Sequence, residues 1–535
     1  DLGSFEARLA STALVGLDGA LPYLFDYPYG CIEQRTSRIR PVFIARDVLD
    51  AFDLTVPGFD PQQAAQEWMT ALDDYWTGDG FAMWAGGTRA NPYVSAYVVL
   101  ALAEAEAAGY DVPAITGDAV EALERWVRNR SDRPDFYDSD VWTETRAFML
   151  YALARHDRVL ESEIDALASD PPESAEALSH LLRTVTLANA TALNRYQAPL
   201  AEQLRQRIRV EGTAAYLTVP ENDRTGWIFS STTRATAFGL TALIEANATD
   251  DVQPLAQRMV RYLMNQRQAG HWASTQENAA VVDAFRAYFD AYETAAPDFT
   301  AEVQLAGRQI LQEAFQQRTL RTANATVSAA DLPSSETLPV DIIASGTGTA
   351  TYSLRLTTFT TAPQPARSQG LSVERTLQPL NERGAPTGDP MATGDRTITL
   401  QSGDLVRVTL RLTSPADRNY VAVDDALPAG LEAVNAAFAT AEQDVLQEAE
   451  AGQDRWWGSF NHTELRDDRV LLFADYLRQG EHAYTYVARA TTPGTFGHPP
   501  ATAEEMYRPE TRGQTATGTL VVEPPVEGTA SASIR

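Results

Sequence analysis

The chain contains one cysteine and no lysine in 535 residues. A single thiol excludes an intramolecular disulfide and supplies too few soft ligands for a thiolate metal site. It leaves the redox compartment open, because one free cysteine suits either. With lysine missing, all 43 basic side chains are arginine. That reads either as an arginine-biased genome with a salt-adapted, acidic proteome or, more pointedly, as the removal of primary amines. Acidic residues outnumber basic ones 72 to 43, for a formal net charge of −29, which argues against nucleic acid or an anionic membrane as partner. No apolar run of about 18 residues is present, so no transmembrane helix is expected. The sequence opens at Asp1 with neither an initiator methionine nor a signal peptide. It is therefore read as a piece of a larger protein whose targeting signal would lie upstream. At this length two to four domains are expected.

The lone cysteine lies in Tyr27-Pro28-Tyr29-Gly30-Cys31-Ile32-Glu33-Gln34. An isolated cysteine is usually a small buried hydrophobe. Here Pro28 and Gly30 punctuate a turn, and Glu33, Gln34, Arg35 and Thr36 are polar, so the thiol is expected at a polar boundary. If the segment turns into a helix, Cys-x-x-Gln spacing brings thiol and carboxamide together. Loss of ammonia would then give an internal thioester, with the Gln34 carbonyl as a stored electrophile and Cys31 as the leaving group. Tyr27 and Tyr29 are read either as part of a dry cover over this bond or as ordinary turn aromatics. Glu33 is read either as orienting the thioester or as a solvated carboxylate at a helix N-terminus.

Residues from about 9 to 296 read as helical. A turn, a small polar residue and an apolar helix recur at 84–107, 142–154, Thr232–Ala246 and 271–288, which suggests an α/α toroid. Trp84, Trp142, Trp227 and Trp272 are read as its packing. After Pro297 the period changes: 299–311 alternates about a turn at Ala306-Gly307, and 338–343 and 349–361 are further strands. Residues 363–370 form a linker by composition. Seven β-runs follow, at 371–377, 396–400, 405–412, 421–424, 470–476, 483–491 and 518–522, and suit an immunoglobulin-like sandwich. Within 503–510, Met506 and Tyr507 are read as exposed on a polar loop. The small, polar tail from Pro524 is expected to be disordered. The fold class is multidomain: an all-α toroid followed by all-β domains.

The octapeptide, with Ser37 and Arg38 beyond it, resembles the bacterial form of the thioester motif of the α2-macroglobulin and complement family, whose animal form reads Gly-Cys-Gly-Glu-Gln. The resemblance implies a Cys31–Gln34 isoglutamyl-cysteine thioester, with no further cofactor and no metal. It implies that 1–7 end the first half of a CUB-type β-domain, 8–297 form the thioester toroid and 298–362 complete the CUB-type domain. The linker 363–370 then leads to a macroglobulin-like sandwich at 371–523 and a flexible tail at 524–535. A loop of that last domain would lock over the thioester, with Met506 facing Tyr27 and Tyr507 beside it.

The function so implied is a broad-spectrum, single-use protease trap rather than an enzyme. A bait segment upstream is cut, the lock opens, and Gln34 couples to a surface lysine of the attacking protease. Implied partners are such proteases and a peptidoglycan-synthesising penicillin-binding protein. The implied location is the periplasm, with the full-length form an inner-membrane lipoprotein. Some animal relatives use a histidine to reach hydroxyl targets; the matching region here, Trp142-Thr143-Glu144-Thr145-Arg146, has none, so direct attack by amines is expected. His156 reads as a cation at a helix end, and His271 as a structural residue that could also face the site. Two other functions stay open. One is a carbohydrate-active toroid enzyme using Asp138, Asp140 and Glu144 near Tyr137 and Trp142. The other is an adhesin that couples its thioester to host or matrix amines.

Overall fold

Strand β1 (Ser4–Ala10) opens the chain and is the base into which a long helical block is set. The computed structural model describes residues 3–17, 19–45, 60–129, 133–219, 223–246, 252–293, 296–317, 322–333, 337–359, 362–381, 383–394, 397–434 and 459–525. It divides into two compact units, Asp1–Thr360 and Thr361–Arg535.

The helices of the first unit are α1 (Ala20–Phe25), α2 (Ile32–Ile44), α3 (Pro61–Tyr75), α4 (Pro92–Ala107), α5 (Ile115–Arg128), α6 (Ser139–Ala154), α7 (Glu161–Ser169), α8 (Ala175–Ala188), α9 (Gln197–Gln206), α10 (Thr232–Ala246), α11 (Val252–Asn265) and α12 (Thr275–Tyr292). The small polar residue seen before several of them in the sequence is a cap. Asp60, Asn91, Asp138, Ser174 and Ser274 each accept hydrogen bonds from backbone N–H groups of the turn that follows, satisfying donors that a helix start leaves open. Pro61 and Pro92 take the first helical position, where the missing N–H costs nothing.

Alternate helices form a cycle. α2 packs on α4, α4 on α6, α6 on α8, α8 on α10, α10 on α12, and α12 returns to α2. These members are buried nearly all round; α4 buries every residue from Pro92 to Ala105. The helices between them are amphipathic. α5 buries Ala119, Leu123, Trp126 and Val127 and turns Glu121 and Arg128 to solvent. Charges inside the cycle are paired. Arg40 of α2 grips Glu104 of α4 with two bonds of 2.7 and 2.6 Å. Arg183 of α8 spans Glu245 and Asp283. Arg234 of α10 pairs with Glu176 of α8 and donates to Gln276 Oε1 at 3.0 Å. Two-pronged pairing of this kind needs a guanidinium fork.

The block is not wholly helical. β2 (Ile208–Glu211) and β3 (Ala214–Leu217) form a hairpin inside it, turning at Gly212 with φ 56°, a left-handed value that glycine takes without strain. After α12 come β4 (Asp298–Leu305), β5 (Arg308–Phe315), β6 (Ala323–Ser328), β7 (Val340–Thr347) and β8 (Thr351–Thr357). The turn at Ala306-Gly307 is as expected, with φ 51° and 77°. β1 runs to Ala10, past the expected end at residue 7, and lies antiparallel between β6 and β8. Its Phe5, Ala7 and Leu9 share a core with Phe299, Ala301 and Val303 of β4, whose sheet has the order β5-β4-β7. The helices are thus an insertion between strands of one sandwich.

The second unit holds β9 (Arg367–Gln369), β10 (Ser372–Leu380), β11 (Met391–Ala392), β12 (Thr397–Gln401), β13 (Leu405–Ser414), β14 (Arg418–Ala426), β15 (Leu431–Ala433), β16 (His462–Leu465), β17 (Arg469–Leu477), β18 (Gly480–Ala490), β19 (Gly494–His498), β20 (Ala501–Glu505), β21 (Arg508–Gln514) and β22 (Gly518–Glu523). Its larger sheets have the orders β11-β10-β13-β18-β15 and β16-β17-β14-β20-β21-β9, and a smaller one is β12-β22-β19. Each of the seven apolar runs in the sequence falls on a strand. The expected linker is part of the fold: β9 pairs with β21, and Gln364 N–H donates to Thr517 Oγ1 at 2.9 Å. The tail beyond residue 525 lies outside the described residues. No described helix is long and apolar enough to cross a membrane.

Arg375 of β10 and Asp425 of β14 form a buried pair that ties the two larger sheets together. Tyr486 Oη donates to Asp425 Oδ2 at 2.7 Å, and Arg375 Nη2 donates to the Pro499 carbonyl at 2.6 Å. His498 lies beside this pair. Burial, then the Arg375 charge, pull its pKa from the ordinary 6.5 to about 3. The folded ring therefore stays neutral while the unfolded one takes up a proton below 6.5. Stability contributed at His498 is present above pH 6.5 and is lost as the pH falls towards 3. Urea titrations of the parent chain and of His498→Asn at pH 4 to 7 should reveal it. The parent should lose roughly 1.4 kcal/mol per pH unit more than the variant on acidification; parallel profiles would contradict the assignment.

Candidate functional site

Cys31 is the N-cap of α2, with extended backbone at φ −65°, ψ 159°. Its N–H donates to Gln34 Oε1 at 3.3 Å, and its sulfur faces the Gln34 N–H in the reciprocal arrangement of a capping box. The Arg35 N–H closes the first turn on the Cys31 carbonyl at 3.0 Å. Cys31 and Gln34 are therefore paired at the positive end of a helix, the side chain of each facing the backbone N–H of the other. The expected polar boundary is not found: Cys31 and Glu33 are 0% exposed and Gln34 is 2% exposed.

Glu33 is accordingly not a solvated cap. Its carboxylate accepts from Ser37 Oγ at 2.5 Å, from Thr275 Oγ1 at 3.1 and 3.0 Å and from Gln276 Nε2 at 2.7 Å. A carboxylate withdrawn from water needs such saturation with donors. Thr275 and Gln276 open α12, so these bonds pin the first turn of α2 to the first turn of α12 across 242 residues of sequence. Ser37 Oγ also lies 2.8 Å from Tyr97 Oη, and Arg40 sits over the Tyr97 ring.

The other flank of the motif is held by α3 and the loop after it. Tyr75 Oη donates to the Gly30 carbonyl at 2.7 Å and receives Arg35 Nη1 at 3.5 Å. Burial pushes the Tyr75 phenol up, so it stays protonated and a donor. Ile32 N–H donates to the Met83 carbonyl at 3.0 Å. Before the cysteine, aromatic rings form a ladder. Tyr29 meets Tyr27 edge-on at 5.4 Å, Tyr27 meets Tyr23 at 5.3 Å, and Tyr23 stacks on His271 at 4.0 Å. Tyr27 and Tyr29 are half-buried. His271 is thus joined to the motif through Tyr23, and its Nδ1 lies 2.8 Å from the Trp272 carbonyl. Of the tryptophans read as packing, Trp272 is fully buried and donates Nε1–H to the Leu263 carbonyl; Trp84 and Trp142 are buried.

Met506 and Tyr507 belong to the second unit. They are not on an exposed loop. They form the tip of the β20–β21 hairpin and are 2% and 8% exposed. The Met506 N–H donates to the Tyr420 carbonyl at 2.9 Å, and Tyr507 meets the Tyr420 ring edge-on at 5.4 Å. Glu505, just before the tip, is buried against Arg418.

The carboxylates considered for an acid–base pair have other employment. Asp138 caps α6 by accepting from the Asp140 and Val141 N–H groups, and Asp140 is exposed. Glu144 accepts from Ser174 Oγ at 2.9 Å, and burial, then Glu176, push its pKa up to about 7. His156 follows α6 but is not the expected cation. Burial lowers its pKa, and its Nε2 bonds the Val99 carbonyl of α4 at 2.8 Å. Among the described residues no cluster of His, Cys, Asp and Glu could hold a metal ion.

Sequence reasoning missed Tyr75, Thr275, Gln276, Tyr97, Met83 and Tyr23. Only Thr275 carried a signal, as a polar residue in the turn that begins a recurring helix.

Residues 370–510 match the family model described as the bacterial α2-macroglobulin MG10 domain. An α2-macroglobulin homolog of Nostoc sp. is 26% identical across 98% of this chain and 27% of its own length. The α2-macroglobulin of Escherichia coli is 26% identical across 93% of this chain and 28% of its own. The chain therefore spans less than a third of the length of each of these two relatives. Among solved structures, native E. coli α2-macroglobulin from domain MG7 to the C-terminus superposes with a TM-score of 0.74 at 22% identity, over 98% of this chain and 78% of that one. Salmonella α2-macroglobulin reacted with methylamine gives 0.73 at 23% identity, over 98% and 32%. Residues 370–510 thus match a bacterial α2-macroglobulin domain, and the chain as a whole is similar to bacterial α2-macroglobulins in sequence and shares the fold of the E. coli protein's MG7-to-C-terminus part.

Proposed function

We propose that Cys31 and Gln34 form an internal thioester and that this chain is the reactive part of a single-use protease trap. The reciprocal cap carries the reading: the lone buried sulfur faces the Gln34 backbone N–H while the Gln34 carboxamide oxygen accepts from the Cys31 N–H, so the two side chains share one helix start. Condensation forms the Sγ–Cδ bond, breaks the Gln34 Cδ–Nε2 bond and releases ammonia. An incoming lysine amine then attacks Cδ, the C–S bond breaks, and a proton from the amine ends on the Cys31 thiolate. Gln34 is left joined to the protease by an amide. The reaction is spent once and has no turnover.

In this reading the cycle of α2, α4, α6, α8, α10 and α12 is the inner ring of an α/α toroid. The sandwich of β1 and β4–β8 belongs to a CUB-type domain, and the second unit is the terminal macroglobulin-like domain. Tyr27 and Tyr29 shield the bond, and the Met506 hairpin tip, with Tyr507 beside it, locks over Tyr27. The bait lies upstream. The trap works in the periplasm, its full-length form is an inner-membrane lipoprotein, and a penicillin-binding protein is its partner at the cell wall. His271 lies behind Tyr23 and takes no acyl group, so glycerol should label the chain far less than methylamine.

Intact mass and thiol titration test the bond. The untreated chain should be lighter by one ammonia than its sequence requires. Methylamine should add its own mass and free one thiol. A chain of full sequence mass whose Cys31 is already free would remove the reading or mark the sample as spent; expression of fresh protein with amine-free purification separates the two. Glu33→Ala should leave the Thr275 and Gln276 donors without their carboxylate at about 1–3 kcal/mol each, lowering both the thermal midpoint and the fraction of chains that take up methylamine. Met506→Ala and Tyr27→Ala should each speed methylamine uptake roughly tenfold, equivalent to about 1.4 kcal/mol of lost cover. Unchanged rates would dismiss the lock.

A further inference from the structure

Several arginines of this chain stand where their fork is not used. Arg125 reaches Asp79 through one nitrogen at 2.7 Å, Arg128 approaches Glu124 at 3.9 Å, and Arg411 approaches Glu481 at 3.3 Å, all three arginines being more than half exposed. An ammonium would serve equally at such surface contacts. The buried forks of Arg40, Arg183, Arg234 and Arg375 explain arginine at those positions only. Local geometry therefore does not account for the uniform choice among 43 cations.

Reactivity separates the two cations. A lysine amine deprotonates readily enough to act as a nucleophile, whereas a guanidinium stays charged and carries no free lone pair to attack with. The position where this matters most is on α2 itself. Arg38 is exposed and lies four residues beyond Gln34, which places it on the same helix face, one turn away. A lysine side chain there would span to the Gln34 acyl carbon.

We propose that position 38 is one from which an amine is excluded: the arginine there cannot be captured by the chain's own electrophile, and the arginine-only surface extends the same exemption to every copy of this segment. The inference rests on the thioester reading above. With an amine at position 38, its nitrogen would bond to Gln34 Cδ, the Cδ–Sγ bond would break and the amine proton would pass to Cys31. The product is a side-chain amide bridge within one helical turn, a free thiol and an unchanged mass.

The test compares the intact parent chain with Arg38→Lys, Arg38→Gln and the distant Arg128→Lys. Free thiol, methylamine uptake and peptide mapping for a bridge between residues 34 and 38 are measured on each. The parent, Arg38→Gln and Arg128→Lys should take up methylamine equally. Arg38→Lys should take up about tenfold less or lower still, because an amine on the same helix acts at a high effective concentration. It should also show a free thiol before any amine is added, and the bridged peptide. Arg38→Lys with parental uptake and no bridge overturns the inference. Equal loss of uptake in Arg38→Lys and Arg38→Gln without a bridge also overturns it, by making Arg38 a structural residue. A parent chain that takes up no methylamine fails the thioester reading itself, and this inference with it.

Discussion

The fully buried carboxylate of Glu33 is the interaction on which both the architecture and the site of the first unit depend. α2 and α12 are the first and last members of the helix cycle, and Glu33 joins them through Thr275 and Gln276. The same residue stands between Cys31 and Gln34. Closing the ring and setting the cap geometry are therefore a single event. Unpaired, such a carboxylate would cost several kcal/mol, so the first turn of α2 is well formed only when the other end of the block has come round to meet it.

The way charge is buried differs between the units but follows one rule. Inside the helix cycle, Arg40, Arg183 and Arg234 each find carboxylates on neighbouring helices. In the second unit Arg375 and Asp425 do the same between sheets. Breaking one partner of such a pair leaves an uncompensated charge, which is far more damaging than losing the pair as a whole. These pairs fix which element lies beside which more firmly than the surrounding alanines and leucines can.

The local features were legible in the sequence because their causes are local. Cys31 and Gln34 are three residues apart, so their meeting needed only a helix start. Asn91, Asp138 and Ser274 announced helices because capping is a matter of two or three residues. Apolar alternation marked β10, β13, β14 and β17. What stayed hidden depends on distance or lacks a pattern. Nothing near Glu33 indicates that Thr275 and Gln276 will cover it, so a solvated carboxylate was the natural reading. Tyr75 and Gly30 are far apart in sequence yet share a hydrogen bond. β6 and β21 are short polar strands whose ladders, not side chains, keep them in place. The Met506 segment read as an exposed loop because Glu504 and Glu505 flank it, although both are held within the hairpin.

The register of β1 has a mechanical meaning. Ser4 lies opposite Thr357 on β8, whereas Ala10, where the chain departs towards the helices, lies opposite Thr351. Both ends of the first unit therefore leave from the same end of one antiparallel pair. Tension applied between them would open β8 from β1 like a zip, one ladder bond at a time. The load would fall on that edge strand before it reached the helices. Pulling on the chain would loosen the base of the insertion while leaving the ring that holds Cys31 and Gln34 intact.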